Sequence, residues 1–222
     1  MKKYVVKILE IISLNDSIRI LRIEKPENYT FIPGQAVGIS IKKKYLIQTE
    51  RAFTFTGLPE WNYLEFIIKT NNIGTGLAAE LNSLKPGDEL IILDKINSIN
   101  YRGPGTFIAG GMGITPFISI FRYLKSKNRL KGNCLIFSTK NINDLILYDE
   151  LYRILGNNFK AILTDEKNCD YSYGRLDEPF LKEQIKRRNR YFYVCGSKNF
   201  VGNINSMLIN LGISPCCIEL CS

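Results

Sequence analysis

The sequence predicts a two-domain protein, an all-β domain followed by an α/β domain with a parallel sheet. Three observations lead to this fold class. Short strands with alternating apolar residues fill the chain to about Asp94, strand-like and helix-like segments alternate after about Tyr101, and 222 residues accommodate two domains of ordinary size. We therefore expect one domain over residues 1–100 and a second over residues 101–222.

The first half is expected to form a series of short alternating strands interrupted by one helix. Its strands are separated by turn sequences at Pro33-Gly34, Gly57–Pro59 and Pro86–Asp88. Many short strands of this kind indicate a barrel or a sandwich. The predicted strands are Tyr4–Leu14, Ser17–Ile23, Ala36–Ile41, Ala52–Thr56, Tyr63–Lys69 and Glu89–Leu93, and the helix is Leu77–Leu84.

The second half alternates strands with helices, which is typical of a parallel sheet with crossover helices. Its predicted strands are Thr106–Ala109, Cys134–Ser138, Phe159–Leu163 and Tyr191–Val194. Its predicted helices are Pro116–Lys127, Ile146–Leu155, Glu178–Arg187 and Lys198–Leu211.

The most informative segment of the chain is Ile108–Phe117, with the sequence IAGGMGITPF. It predicts a short strand, a tight glycine turn and a helix with a proline in its first turn. Glycines allow a backbone to approach a bulky anion, and the N–H groups at a helix start favour phosphate. The segment therefore predicts a nucleotide site, although many α/β turns need glycine for packing alone.

Two further segments strengthen this interpretation. The predicted strand Arg51–Thr56 brings a cation, an aromatic ring and a hydroxyl together, and an arginine can bind a pyrophosphate through paired hydrogen bonds. It could also be an amphipathic strand with Phe53 and Phe55 in the core. The segment Tyr191–Ser197 is a buried strand ending in small residues, where open α/β sheets bind ligands. Ordinary strand-to-helix packing would explain it as well.

In this order, Arg-x-Phe-Thr at residue 51, Gly-Gly-x-Gly-Ile-Thr-Pro at residue 110 and Cys-Gly-Ser at residue 195 resemble the ferredoxin–NADP reductase superfamily. Phe31–Gln35, Leu84–Asp88 and Tyr173–Leu176 resemble further elements of that family. The resemblance is strongest to short bacterial FAD-binding oxidoreductases, or flavodoxin reductases. It implies an N-terminal antiparallel flavin-binding β-barrel and a C-terminal domain that binds a nicotinamide nucleotide.

For FAD, the resemblance implies that Arg51 binds the pyrophosphate, that Phe53 packs on the isoalloxazine and that Thr54 places a catalytic hydroxyl near flavin N5. The full set of FAD-binding residues that it implies is Arg51, Ala52, Phe53, Thr54, Lys69, Gly74, Thr75, Gly76 and Leu77. The chain departs from the family at Ala78, where a serine or threonine is common.

For the nicotinamide nucleotide, the three glycines of the turn would permit close approach, and Cys195 would lie beside the nicotinamide ring as a second catalytic residue. Cys195 is not expected to be a covalent nucleophile, and it could be a buried small side chain. The implied nucleotide-binding residues are Gly110, Gly111, Gly113, Ile114, Thr115, Pro116, Ser138, Lys140, Cys195, Gly196 and Ser197.

Lys140 could contact the 2′-phosphate of NADPH. The arginine usual in the family and an acidic ribose-binding residue are both absent there, so NADPH and NADH remain open, with a preference for NADPH. The C-terminal segment Ile218–Ser222 also departs from the family, because it lacks the aromatic residue and because Glu219 is one position out of register.

The six cysteines lack the spacing of iron–sulfur cluster motifs, and the absence of histidine excludes His-ligated metals and Ser-His-Asp mechanisms. We predict no metal site. Lys7 and Glu10 interrupt the apolar N-terminus, and no apolar run is long enough to span a bilayer. We therefore expect a cytoplasmic protein without membrane insertion.

The formal net charge is +9, with basic runs at Lys42–Lys44 and Lys186–Arg190. Such runs are often solvated surface. They lack the interleaved aromatics of a nucleic-acid platform, so we expect no nucleic-acid partner. A basic surface also suits a small acidic electron carrier, because complementary charges steer association.

The function that the sequence predicts is an NAD(P)H-dependent, FAD-containing oxidoreductase that reduces a separate carrier such as flavodoxin or ferredoxin. One alternative is an NAD(P)H:flavin reductase that uses free flavin as a substrate. Another is an electron-transfer subunit of a larger complex, although such subunits usually carry cluster cysteines.

Overall fold

A computed structural model describes residues 2–41, 51–70, 77–185 and 191–222, with the side chains of residues 77–79 excepted. The chain divides into two compact units, residues 1–98 and residues 99–222. Each unit is built around its own six-stranded sheet.

The first unit is a barrel-like antiparallel sheet with the strand order β4-β3-β6-β1-β2-β5. An isolated antiparallel bridge between Phe55 and Phe66 joins the residue after β4 to β5, at the opposite end of this order. The elements are β1 (Tyr4–Ser13), β2 (Ile18–Glu24), β3 (Gln35–Ile41), β4 (Arg51–Thr54), β5 (Tyr63–Lys69), helix α1 (Leu77–Asn82) and β6 (Glu89–Asn97).

The core of the first unit is aromatic. Phe55 is fully buried, stacks on Phe31 with ring centroids 4.1 Å apart, and lies 5.1 Å from the ring of Phe66. Successive side chains of a strand point to opposite faces of the sheet. Apolar residues at every second position therefore face this cluster. The cluster therefore holds the end of β4 in place.

The second unit is a parallel sheet with the strand order β10-β9-β8-β7-β11-β12. Its strands are β7 (Gly105–Gly110), β8 (Cys134–Thr139), β9 (Phe159–Leu163), β10 (Ser172–Tyr173), β11 (Tyr191–Cys195) and β12 (Ile218–Cys221). Its helices are α2 (Thr115–Ser126), α3 (Tyr148–Leu155), α4 (Glu178–Gln184) and α5 (Lys198–Asn210). The chain leaves β7 toward β8 on one side and later adds β11 and β12 on the other, so the order reverses beside β7.

The fold class predicted from the sequence is confirmed, and the main strands and helices lie within a few residues of their expected ranges. Two strands, β10 and β12, were not predicted. Helix α3 begins at Tyr148 rather than Ile146, because Leu147 has a left-handed backbone with φ of 53°. Within the described ranges, no helix is long and apolar enough to cross a membrane.

Candidate functional site

The carboxyl ends of the parallel strands bring together the segments that the sequence singled out in the second unit. Strands β7, β8 and β11 end at Gly110, Thr139 and Cys195, and the chain turns there into the loops that follow. Because the strands are parallel, these loops meet at one edge of the sheet, beside the point where the strand order reverses. This is the place where open α/β sheets bind nucleotides.

The three glycines after β7 have different roles. Gly111 has φ of 54°, and a Cβ added there would meet no atom within 4 Å. A Cβ on Gly113 would lie 2.2 Å from the carbonyl oxygen of Cys195, and one on Gly110 would lie 2.8 Å from the ring of Phe200. Gly110 and Gly113 are therefore required by packing, whereas Gly111 lines open space that a bulky anion could enter.

The same contacts join the glycine turn to the Cys-Gly-Ser segment. A Cβ on Gly196 would meet the Phe200 ring at 2.7 Å, so this ring covers Gly196 and Gly110 together. Phe200 was not predicted as a site residue. Its position three residues after Ser197, inside the first turn of α5, is the sequence feature that could have pointed to it.

Two helices begin at this edge. The residues Gly111–Ile114 form a 3-10 turn that leads directly into α2, whose first residues are Thr115 and Pro116. Helix α5 begins after Ser197, whose hydroxyl accepts a hydrogen bond from the N–H of Phe200 at 3.3 Å. Helix starts carry N–H groups without partners inside the helix and a partial positive charge, so this edge favours phosphate.

Some of the predicted side chains have partners inside the protein. Thr115 is buried, and its hydroxyl donates to the carbonyl of Met112 at 3.0 Å, which tightens the turn. The Ser197 hydroxyl caps α5 in the way just described. The groups of this edge that could bind an anion are therefore mainly backbone N–H groups, because these two hydroxyls already have partners in the turn and the helix cap.

Cys195 ends β11 and is buried. It pairs in register with Cys221 of β12, and a hydrogen bond with that thiol and burial raise the pKa of Cys195 far above its usual value. The thiol therefore stays protonated at neutral pH. This chemistry suits a packing surface and does not suit a nucleophile.

The end of β8 carries the residues considered for the ribose 2′-phosphate. Ser138 is buried within the strand, and Lys140 follows the strand and is exposed. The carbonyl of Lys140 accepts from the N–H of Asp165 at 2.9 Å, and the Glu166 carboxylate accepts from the N–H of Ile142 at 2.9 Å. Two acidic residues that the sequence reading missed therefore lie close to Lys140.

Their sequence positions could have revealed these acids. Asp165 and Glu166 follow β9 just as Lys140 follows β8, and the carboxyl ends of neighbouring parallel strands meet at the same edge. The residues predicted to contact the ribose 2′-phosphate all came from the end of β8 and the loop that follows it. This edge carries both a cation and carboxylates, which bears on the choice between NADPH and NADH.

In the first unit, β4 carries the residues predicted to bind FAD. Arg51 and Ala52 are exposed, and Phe53 and Thr54 are half-buried. Phe53 is half-buried and packs against the core of this unit, which agrees in part with an amphipathic strand. An exposed arginine, a half-buried phenylalanine and a half-buried threonine thus lie on one short strand, and these residue types fit a flavin nucleotide.

A buried polar network surrounds Thr56, which lies two residues after the end of β4. The hydroxyl of Thr56 donates to the Glu65 carboxylate at 3.1 Å, and the Arg22 guanidinium donates to the same carboxylate at 3.1 Å. Glu65 is only 1% exposed. Because a buried carboxylate is costly without partners, this network holds Thr56, two residues after β4, against β5.

Of the second segment predicted to bind FAD, residues 69–77, the structure describes only the two ends. Lys69 ends β5 and is exposed, and Leu77 begins α1. Gly74, Thr75 and Gly76 lie outside the described residues, as do the basic runs at residues 42–44 and 186–190. The side chain of Ala78 lies outside them as well.

Glu219 lies in β12 opposite Tyr193. Its carboxylate accepts from the N–H of Asn100 at 3.4 Å, so it contacts the segment that leads into β7. The residue therefore has a structural partner.

Comparison with known proteins agrees with this architecture. Residues 107–205 match the family model described as the oxidoreductase NAD-binding domain. A ferredoxin NADP+ reductase from Neisseria gonorrhoeae, solved with bound FAD and NADP, superposes with a TM-score of 0.85 at 20% identity, covering 99% of this chain and 98% of that one. At this identity the likeness shows the fold.

Among curated proteins, the chain is 29% identical to the flavodoxin/ferredoxin–NADP reductase of Buchnera aphidicola subsp. Schizaphis graminum, over 73% of this chain and 69% of the relative. It is 22% identical to a flavohemoprotein of Bacillus subtilis, over 86% of this chain and 52% of the relative. The chain thus spans about half the length of that flavohemoprotein.

Proposed function

The chain belongs to the ferredoxin–NADP reductase superfamily, and from this premise we propose that it is a flavin-dependent NAD(P)H oxidoreductase that reduces a separate electron carrier. The observation that carries the proposal is the turn at Gly111, which combines a positive φ, open space and a following helix start at the carboxyl edge of the sheet. A nucleotide pyrophosphate matches that combination in size and charge.

The second unit would bind and orient the nicotinamide nucleotide. The space beside Gly111 admits the pyrophosphate, and the backbone N–H groups at the starts of the 3-10 turn and α5 neutralise its charge. Cys195 offers a neutral, protonated thiol as a packing surface, which adds no charge beside a ring that becomes positive on oxidation. These groups set position, and they undergo no chemistry themselves.

The first unit would bind FAD along β4. Arg51 supplies a permanent cation for the flavin pyrophosphate, Phe53 supplies a ring edge, and Thr54 supplies a hydroxyl for a ring nitrogen. When bound, FAD supplies hydride acceptance from a nicotinamide and onward transfer of electrons. The Thr56–Glu65–Arg22 network would hold the chain two residues after Thr54 against β5.

The choice between NADPH and NADH depends on the residues after β8 and β9. Lys140 favours a 2′-phosphate, and Asp165 favours the free 2′-hydroxyl of NADH because a carboxylate accepts a hydrogen bond from a hydroxyl and repels a phosphate. The exposed ammonium of Lys140 supports NADPH as the preferred donor.

The proposed electron acceptor is a small acidic carrier of the flavodoxin or ferredoxin type. Support comes from the printed description of the Buchnera relative as a flavodoxin/ferredoxin–NADP reductase and from the net charge of +9, which would steer an acidic partner. The cytoplasmic location expected from the sequence stays a prediction.

Replacement of Arg51 tests the flavin assignment. Arg51→Ala should weaken FAD binding by about 1.5–3 kcal/mol, the scale of a hydrogen bond to a charged group, when binding is measured by quenching of flavin fluorescence. Arg129→Ala removes an arginine of the second unit that is also exposed, and it should leave FAD affinity unchanged.

Equal affinity in Arg51→Ala and the parent protein would contradict the placement of FAD on β4. Parent protein that turns over free flavin rapidly but retains none would favour the free-flavin reductase instead.

A further inference from the structure

The turn before β12 carries two adjacent thiols that the proposed reaction does not use. Cys216 is exposed and Cys217 is half-buried, both are free, and their sulfur atoms lie 4.0 Å apart. They lie in the 3-10 turn Pro215–Cys217. This turn leads into the amino end of β12, whereas the glycine turn lies at the carboxyl ends of the strands.

Polar groups surround the Cys216 sulfur. The Ser214 hydroxyl lies 3.1 Å from it. The Arg102 guanidinium donates to the carbonyl of Cys216 at 2.7 Å and lies over the ring of Tyr191 at 4.7 Å. A hydroxyl, a second thiol and a cation held by two contacts thus lie close to one solvent-accessible sulfur.

The two thiols differ in acidity. Hydrogen bonds from Ser214 and Cys217, together with the Arg102 charge, lower the pKa of Cys216 below its usual value. Burial and the neighbouring Cys216 raise the pKa of Cys217. The titratable groups acting on Cys216 are therefore Arg102 and Cys217, and Cys216 is the thiol that ionises first.

We propose that Cys216 is a thiol-modification site that forms reversible mixed disulfides with small anionic disulfides. Its thiolate attacks one sulfur of the small disulfide, the original S–S bond breaks, and the second sulfur leaves as a thiolate that takes a proton from water. One disulfide is consumed and one is formed, so no further oxidant is needed.

The mixed disulfide should persist, because Cys217 cannot readily displace it. Adjacent Cα atoms are about 3.8 Å apart, below the roughly 4.4 Å at which disulfides ordinarily begin. Cys217 therefore acts as a hydrogen-bond donor to the thiolate, and it does not act as a resolving thiol. Arg102 selects for disulfides that carry carboxylates.

Oxidised glutathione is the probe, and Cys169, which is also exposed, is the matched control. Samples quenched in acid and analysed by intact mass and peptide mapping should show one glutathione on Cys216, added roughly ten times faster than on Cys169. Cys216→Ser should abolish the fast addition, and Cys169→Ser should leave it intact. Ser214→Ala should slow it without displacing it to another residue.

Cystamine, a cationic disulfide, tests the charge preference. Glutathione disulfide should react faster than cystamine at Cys216, and Arg102→Gln should reduce that preference while the preference at Cys169 stays unchanged. Fast addition at Cys169 or at another cysteine, or equal rates at Cys216 and Cys169, would overturn the proposal. None of these readouts requires flavin or nicotinamide nucleotide, so they are independent of the proposed function.

Discussion

At the scale of single residues, the three glycines at the end of β7 have two different roles. Gly110 and Gly113 lack a Cβ because Phe200 and the carbonyl of Cys195 occupy that space, and Gly111 lacks one where the space is open. The sequence motif predicted all three as nucleotide contacts. It could not separate packing from binding, because the distinction depends on what α5 and β11 bring to the turn.

Replacement of Gly111 tests this distinction. Gly111→Val fills the open space and should lower the rate of flavin reduction by NAD(P)H at least about a hundredfold, while dithionite still bleaches the flavin. Gly156→Val is the matched control, since Gly156 has the same φ of 54° and also borders open space. If both variants are reduced by NAD(P)H at similar rates, the effect is backbone strain and the nucleotide lies elsewhere.

In the proposed function, the residues after β8 and β9 determine the preference between NADPH and NADH. Lys140→Ala should raise the Michaelis constant for NADPH about tenfold, the equivalent of roughly 1.4 kcal/mol, and should change that for NADH little. Asp165→Asn should act in the opposite sense and lower the constant for NADPH, because it removes a repelling charge. Steady-state kinetics with NADPH and with NADH measures these Michaelis constants. A variant that changes both constants by the same factor would show that the replaced residue does not distinguish NADPH from NADH.

At the scale of elements, the helix pair α2 and α3 is held by a two-bond ion pair. Arg122 donates to both carboxylate oxygens of Glu150, at 2.6 and 2.8 Å. Burial raises the pKa of Glu150, but the hydrogen bonds and charge of Arg122 outweigh it, so the net pKa is lowered. A lowered folded-state pKa means that this contribution to stability is present above the unfolded value and is lost as pH falls through the folded one.

Glu150→Gln should therefore lower the free energy of unfolding by about 1 kcal/mol at neutral pH, since both side chains are partly exposed. The difference from the parent protein should begin to shrink as pH falls below the usual glutamate pKa of about 4.3, and it should disappear only at a lower pH, once the Glu150 carboxylate of the parent is protonated. Urea unfolding between pH 3 and about pH 7 measures it. Asp149→Asn, which removes the neighbouring exposed acid, should show a smaller effect, and a penalty that is independent of pH would contradict the role of the ion pair.

Strand prediction succeeded where residues alternate or where apolar runs are long, and it failed for the short edge strands. Strand β12 has only four residues and includes Glu219 and an exposed Leu220, so it is too short for its alternation to indicate a strand. It is a strand because it pairs with β11, and pairing partners distant in sequence cannot be read from a local pattern. Likewise, the acids after β9 became relevant only when the parallel sheet placed them beside Lys140.

At the scale of the whole molecule, the proposed function assigns one kind of ligand to each unit. The first unit provides an exposed arginine on a strand fixed by an aromatic core and a buried polar network. The second unit provides helix starts and one open glycine at the carboxyl edge of a parallel sheet. In the proposed function both units take part in one reaction. The second unit binds the donor nucleotide, and the first unit binds the flavin.

Anaerobic mixing of the FAD-loaded protein with NADPH, and separately with NADH, tests this requirement most directly. The account predicts loss of the oxidised flavin absorbance in a phase whose rate saturates with nucleotide concentration, with one flavin reduced per nucleotide oxidised. Saturation indicates binding before hydride transfer, and the stoichiometry links the two events. Protein that binds FAD but keeps it oxidised in the presence of excess NADPH and NADH, while dithionite reduces it, would contradict the central claim.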